Sequence, residues 1–260
     1  MRPNWGYLRI GVETDIAWPT EDKIVEFGGR HITLTPESDE LLPSIMVRYD
    51  EDFPKDAAYR LLCEFASSVA WSEGIGVKLS AVSDCTSPRL MIGRPPLRRG
   101  RIGAGSFEEL PSPLDKQTKL AMALFREALT VNLIPYQFLA YCRIINLKAG
   151  SKTKEQVDWI NSEIQRVTDT NASRRLAQLS LDGVTDIGKY IYERGRCAIA
   201  HASLSKVTID PDTPADSVRL HCDLPIVRAL AERIIDNQLG ISTTDTLRGS
   251  IVPVGAAVGS

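Results

Sequence analysis

The hydrophobic period changes partway along this chain, and that change limits the fold more than any other feature. In the first fifty residues apolar side chains alternate with polar ones, the period of a strand with one buried face. From Asp115 onward they recur at spacings of three and four, the period of a helix packed on one side. A chain of this kind is expected to be α+β: a small β-rich N-terminal module followed by an all-α bundle of about five helices.

The strand candidates are Tyr7–Val12, Lys23–Phe27, His31–Thr35 and Ser44–Tyr49. The second and third meet across Gly28-Gly29-Arg30, a hairpin signal. Ala57, Leu61, Phe65 and Val69 then recur every fourth residue, predicting a helix against the sheet, and Gly76–Val82 reads as a returning strand. His31 opens a strand without an obvious partner and is assigned a structural role.

The module spans 1–86, and 87–113 reads as a linker rich in proline, glycine and arginine. Arg89, Arg94, Arg98, Arg99 and Arg101 fall there or at its edge with no acid among them. Such a strip is either solvated or tracks phosphates; on the second view Arg98, Arg99 and Arg101 are candidate RNA contacts.

The helical half covers 114–240. Leu120, Ala121, Leu124, Phe125, Ala128 and Leu129 form one stripe, and Phe138, Leu139 and Cys142 face inward from a second helix that Gly150 ends. Thr153-Lys-Glu-Gln156 carries a capping-box signature for a third helix, with Val157, Ile160, Ile164 and Val167 in its core. Residues 174–181 read as a short helical connection. A fourth helix begins near 182–186. A fifth begins at Asp223, taken as N-cap, with Pro225 in its first turn. Residues 241–260 are expected to be a loose tail, with Ile251–Val254 able to dock on a partner.

Composition matters mainly for what it excludes. A formal net charge of −2 gives no global attraction to nucleic acid, so any such contact rests on local patches. The five cysteines are scattered and form no CxxC pair, which argues against a disulfide framework or a zinc site. No basic-then-apolar leader opens the chain and no run has the length of a membrane span, so a cytoplasmic protein is expected. The sequence has no Walker loop, GxGxxG after a strand, GxSxG or HExxH. The acids Asp210 and Asp212 lack ligands at metal spacing, and with Pro214 and Asp216 they read as turns. No metal or cofactor is expected.

The fourth helix carries the one constellation with chemistry in it: Tyr190-Ile-Tyr-Glu-Arg-Gly-Arg-Cys-Ala-Ile-Ala-His-Ala202. An arginine holds phosphate through fixed donors, and a histidine moves a proton near neutral pH. Around a straight helix Arg194 and His201 lie within about 20° of each other, whereas Arg196 and His201 stand about 140° apart. The latter pair shares a substrate only where the helix ends near the motif or a second copy completes the site. The competing structural reading has His201 at a helix C-terminus and the arginines paired with Glu193, Asp186 or acids on neighbouring helices.

Arg196-Cys-Ala-Ile-Ala-His201 resembles the Arg-x(4–6)-His motif of HEPN domains, and the longer Gly195–Ala202 string also resembles the MauJ group of methylamine utilization proteins. The resemblance covers about 114–237 and leaves the front half unmatched. It implies a metal-independent endoribonuclease, of a kind found in defence and toxin systems, that cuts in a dimeric site. His201 would serve as general base or acid at the RNA 2′-hydroxyl and the leaving oxygen. Arg196, helped by Arg194, would neutralise phosphoryl charge, and Tyr190 would stack on a base. Cys197 departs from the polar residue that often follows the arginine in that family. It keeps open an alternative: a non-catalytic module that binds RNA, a nucleotide or a protein. In either case the expected partners are RNA and a second copy through the helical half, with a protein partner conceivable at the N-terminal module.

Overall fold

The computed structural model describes residues 5–38, 42–85, 107–201 and 207–241. The first element, β1 (Gly6–Thr14), is followed by β2 (Lys23–Phe27), β3 (Arg30–Thr35), β4 (Ser44–Tyr49), the helix α1 (Lys55–Glu73) and β5 (Val77–Cys85). These five strands form one antiparallel sheet in the order β2-β3-β4-β1-β5. Gly28 and Gly29, at φ 58° and 72°, form the two-residue turn between β2 and β3; only glycine takes both positive angles without strain. Leu8, Ile10, Ile32, Leu34 and Ile45 project from one face of the sheet, fully buried beneath α1.

α1 joins the two halves. Leu62, Phe65, Ala66 and Val69 belong to the sheet core. Trp71, one turn before the left-handed Gly74 that ends the helix, belongs to the helical core, packed edge-on against Phe125 at 5.0 Å. Phe107, at the front of the described stretch after β5, is buried in the sheet core against Trp18.

The helical half contains α2 (Lys116–Thr130), α3 (Ile134–Ala149), α4 (Thr153–Glu163) with a 3-10 turn at Ile164–Arg166, and α5 (Thr170–Leu181). One continuous rod follows, which we call the motif helix: α6 (Ile187–Tyr190), a π-helical stretch (Ile191–Cys197) and α7 (Ala198–Ala200). The last rod is α8 (Pro214–Arg233), continued as a π-helical stretch over Ile234–Gln238. No helix among the described residues is long and apolar enough to cross a membrane.

The α+β architecture is as expected, but three boundaries differ. Residues 170–181 are a full helix rather than a short connection, because Asp169 is an N-cap accepting from the Ala172 N–H at 2.8 Å. The motif therefore lies on the fifth of six rods, not the fourth of five. The last helix begins at Pro214, not at Asp223: proline at the first helical position needs no N–H partner, while Asp223 is buried in mid-helix and Pro225 sits inside it. The capping box before α4 is shifted by one residue. Glu155 reaches back to the Lys152 backbone N–H at 3.3 Å, and Thr153 is already in the helix.

Candidate functional site

The motif helix begins at Asp186, whose carboxylate accepts from the Lys189 N–H at 2.8 Å and from the Asn161 amide at 2.9 Å. These two donors hold its pKa below the ordinary carboxylate value, the Asn161 bond contributing most. Asn161 turns its carbonyl to the Gly188 N–H at 2.7 Å. A Cβ at Gly188 would run into the Val157 carbonyl and Asn161, so the first turn lies flat on α4.

The next seven residues form a π-helix, with the Ala198 N–H reaching back to the Glu193 carbonyl. π-Helical turns are rare and concentrate at functional sites. Neighbouring elements pin this wide turn on three sides. The Tyr192 hydroxyl bonds Thr153 Oγ1 on α4 at 2.9 Å. Gly195 is buried against the Phe138 ring of α3, leaving no room for a side chain. The Tyr190 hydroxyl donates to Asp223 Oδ2 on α8 at 2.9 Å.

Asp223, 1% exposed, is the hub of a buried polar cluster. Arg175 Nε on α5 donates to its Oδ1 at 2.8 Å, and Arg219 Nη1 stands 3.5 Å from its Oδ2. Two guanidiniums and a phenol thus compensate one buried carboxylate, as burial of an ion requires. Burial, followed by the Asp223 charge, raises the Tyr190 pKa. Tyr190, the expected base-stacking residue, is half-buried, and its hydroxyl is committed to this cluster.

The other motif residues are placed differently. Arg194 is exposed. Arg196 is half-buried, its guanidinium 5.5 Å from the Tyr192 ring centroid and its Nη1 3.7 Å from Cys197 Sγ. Burial disfavours the Arg196 charge, but the Cys197 contact, Tyr192 and Cys142 outweigh it and the pKa stands above the usual guanidinium value. The buried Cys142 thiol, one turn along α3 from Phe138, is pushed up to about 12 by desolvation, with Arg196 pulling the other way. Among the described residues no carboxylate lies within ion-pair distance of Arg194 or Arg196. The acids that might have neutralised them are otherwise placed: Asp186 caps the helix, and Glu193 points to solvent.

His201 is the C-cap, its backbone N–H closing the last turn onto the Cys197 carbonyl at 3.0 Å and its φ of −127° and ψ of 112° leaving the helix. Its ring is exposed. The chain returns at Ile209, whose N–H bonds the Ala198 carbonyl at 3.0 Å. The helix therefore ends at the motif, one of the two conditions under which Arg196 and His201 can act together. Arg98, Arg99 and Arg101 lie outside the described residues, as does Ile251–Val254. His221 is exposed on α8. Among the described residues no group of three or more His, Cys, Asp or Glu side chains converges as a metal site would.

Thr153, Arg175 and Asp223 support the motif; from the sequence Thr153 and Asp223 were read only as helix starts, and Arg175 was not singled out. Arg219 and Asp223 do carry a signal, an opposite-charge pair at the i,i+4 spacing of a helix already begun at Pro214.

Residues 121–236 match the profile of a family described as Methylamine utilization protein MauJ. The match covers less than half of the 260 residues, runs from within α2 into the π-helical stretch that follows α8, and includes the whole motif helix. No curated protein and no solved structure matches the chain significantly.

Proposed function

We propose that the C-terminal end of the motif helix is a phosphodiester site and that this MauJ-like chain acts on RNA as a metal-independent, HEPN-type endoribonuclease. The observation that carries the proposal is electrostatic. Arg194 and Arg196 stand beside a helix-ending histidine with no carboxylate to neutralise them among the described residues, and Arg196 is held by a ring and a thiol instead. An unneutralised guanidinium on a fixed platform is suited to the planar, multidentate recognition of phosphate oxygens.

In this reading His201 takes the proton from the RNA 2′-hydroxyl or delivers one to the leaving 5′-oxygen. The 2′-oxygen attacks phosphorus, the P–O5′ bond breaks, and a 2′,3′-cyclic phosphate and a 5′-hydroxyl remain. Arg196 and Arg194 offset the negative charge that accumulates on the non-bridging oxygens. Two copies paired through the helical half would supply the second arginine–histidine set, with cytoplasmic RNA as substrate. RNA cleavage in EDTA by the wild-type protein, abolished in His201→Ala and Arg196→Ala, is the expected result. Absence of cleavage of structured and unstructured RNA by folded protein would reject the catalytic part.

A second reading, a non-catalytic RNA- or nucleotide-binding module, is favoured by one contact, the approach of Arg196 to Cys197, which holds the guanidinium to its own helix. It predicts RNA binding that falls in Arg196→Ala without turnover in either protein.

A further inference from the structure

Tyr59, Cys63 and Ser67 recur at every fourth position of α1 and so share one face of that helix. Arg126 reaches the same face from α2. Its Nε donates to Ser67 Oγ at 3.2 Å, and Ser67 Oγ donates in turn to the Cys63 carbonyl at 2.9 Å. The Tyr59 hydroxyl lies beside the Cys63 thiol, and the guanidinium is close enough to both to act on their protonation. Four side chains from two helices therefore meet at one spot.

That spot holds a positive charge without an acid. Arg175, Arg228 and Arg233, half-buried like Arg126, each meet a carboxylate at 2.8–3.0 Å. Arg126 has none within ion-pair distance among the described residues. Glu64, next to Cys63, is held by Lys119 at 2.9 Å, and Glu127, next to Arg126, by Arg143 at 3.2 Å. Burial pulls the Arg126 pKa below the ordinary guanidinium value. The Tyr59 and Cys63 pKa values are both raised, the first chiefly by Cys63 and the second by burial, so neither supplies a negative charge at neutral pH. A half-buried cation met only by neutral groups is costly, and an anion would relieve that cost. The Nη nitrogens have no partner among the described residues and keep contact with solvent.

We propose that the junction of α1 and α2 at Arg126 binds the carboxylate of a small organic acid, with the Nη pair on its two oxygens and the Tyr59 hydroxyl as a third donor. The Ser67 bond fixes the guanidinium through Nε and leaves the planar fork of Nη1 and Nη2 for bidentate contact. Lys119 and Arg143 are each committed to an acid, so the one uncompensated charge matches a monoanion better than a phosphate dianion. Tyr59 is 46% exposed, which leaves its ring open to the rest of the ligand. The site lies apart from the motif helix and does not depend on the reading of that helix.

The test is titration of the full chain with benzoate at constant ionic strength, following the Arg126 Nε–H signal and the backbone amides of Tyr59, Cys63 and Ser67 by NMR. Benzyl alcohol supplies the ring without the charge, and inorganic phosphate the charge without the ring. Saturable shifts with benzoate, none with benzyl alcohol and weaker ones with phosphate are expected. Arg126→Gln should raise Kd for benzoate roughly tenfold or more, and Tyr59→Phe, at an exposed position, about threefold. Arg174→Gln, an exposed arginine on α5, should leave it unchanged; circular dichroism verifies that each variant is folded. Responses to benzyl alcohol or phosphate as strong as those to benzoate would overturn the proposal. So would the absence of saturation, or an affinity unaltered in Arg126→Gln or in Tyr59→Phe.

Discussion

The hydroxyl of Tyr190 donates to the carboxylate of Asp223, 2.9 Å away, and so ties the motif helix to the last helix. The same carboxylate receives Arg175, so three rods meet at one buried charge. Replacing Asp223 with Ala takes the carboxylate from Arg175, while Arg219 keeps Asp216 at 3.6 Å, and should cost about 3–5 kcal/mol, read from the shift of the urea midpoint. Tyr190→Phe removes one hydrogen bond to a charged group and should cost about 1.5–3 kcal/mol. RNA affinity retained in Tyr190→Phe would confine Tyr190 to this structural task.

Gly195 admits no side chain against Phe138. Gly195→Ala should destabilise by about 1–3 kcal/mol, the range for overpacking, and Phe138→Leu in the same chain should recover part of the loss. Additive losses in the double variant would show that the two residues do not press on one another.

The capping carboxylate of Asp186 has a depressed pKa in the folded chain. A group of this sign contributes stability that is fully present above its unfolded pKa, near the ordinary aspartate value of 3.8, and is lost as pH falls through the lower folded value. Asp186→Ala should therefore cost about 1 kcal/mol at neutral pH. The gap to wild type should narrow under acid, below the unfolded value, in thermal melts across that range. A pH-independent gap would mean that the carboxylate charge is irrelevant to the cap.

Arg196→Lys preserves the charge but loses the planar fork and its placement over Tyr192. It should restore little of whatever activity or RNA binding Arg196→Ala removes. Full rescue by lysine would reduce the role of Arg196 to a point charge.

Trp71 is 1% exposed and carries the sheet-packing helix into the helical core. Trp71→Ala should cost about 3–5 kcal/mol. Because α1 serves both cores, wild-type unfolding followed separately at strand and helix signals should show coincident transitions; separated transitions would mean that the halves unfold independently.

Much of the scaffold could be read from local pattern. Lys23–Phe27 and Ser44–Tyr49 coincide with β2 and β4, because alternation and a Gly-Gly turn are local constraints on the backbone. The arginine–histidine spacing was equally visible. The boundaries that were misplaced share one cause, a signature that is locally ambiguous. Asp223 followed by Pro225 has the form of a helix start, yet the helix runs through it because two arginines from different rods make a buried carboxylate there tolerable.

The sequence alone determined where the hydrophobic period changes, the antiparallel hairpin, and the presence of two arginines shortly before a histidine. Those are properties of neighbours along the chain. Tertiary structure decided what that motif is worth. It widened the helix into a π turn pinned by Thr153, Phe138 and Asp223, ended it at His201, and left Arg194 and Arg196 without acids among the described residues. It also ended the β3–β4 pairing at Thr33 and Met46. Each of these depends on groups far apart in sequence that meet only when the rods and strands pack, and no local pattern records them.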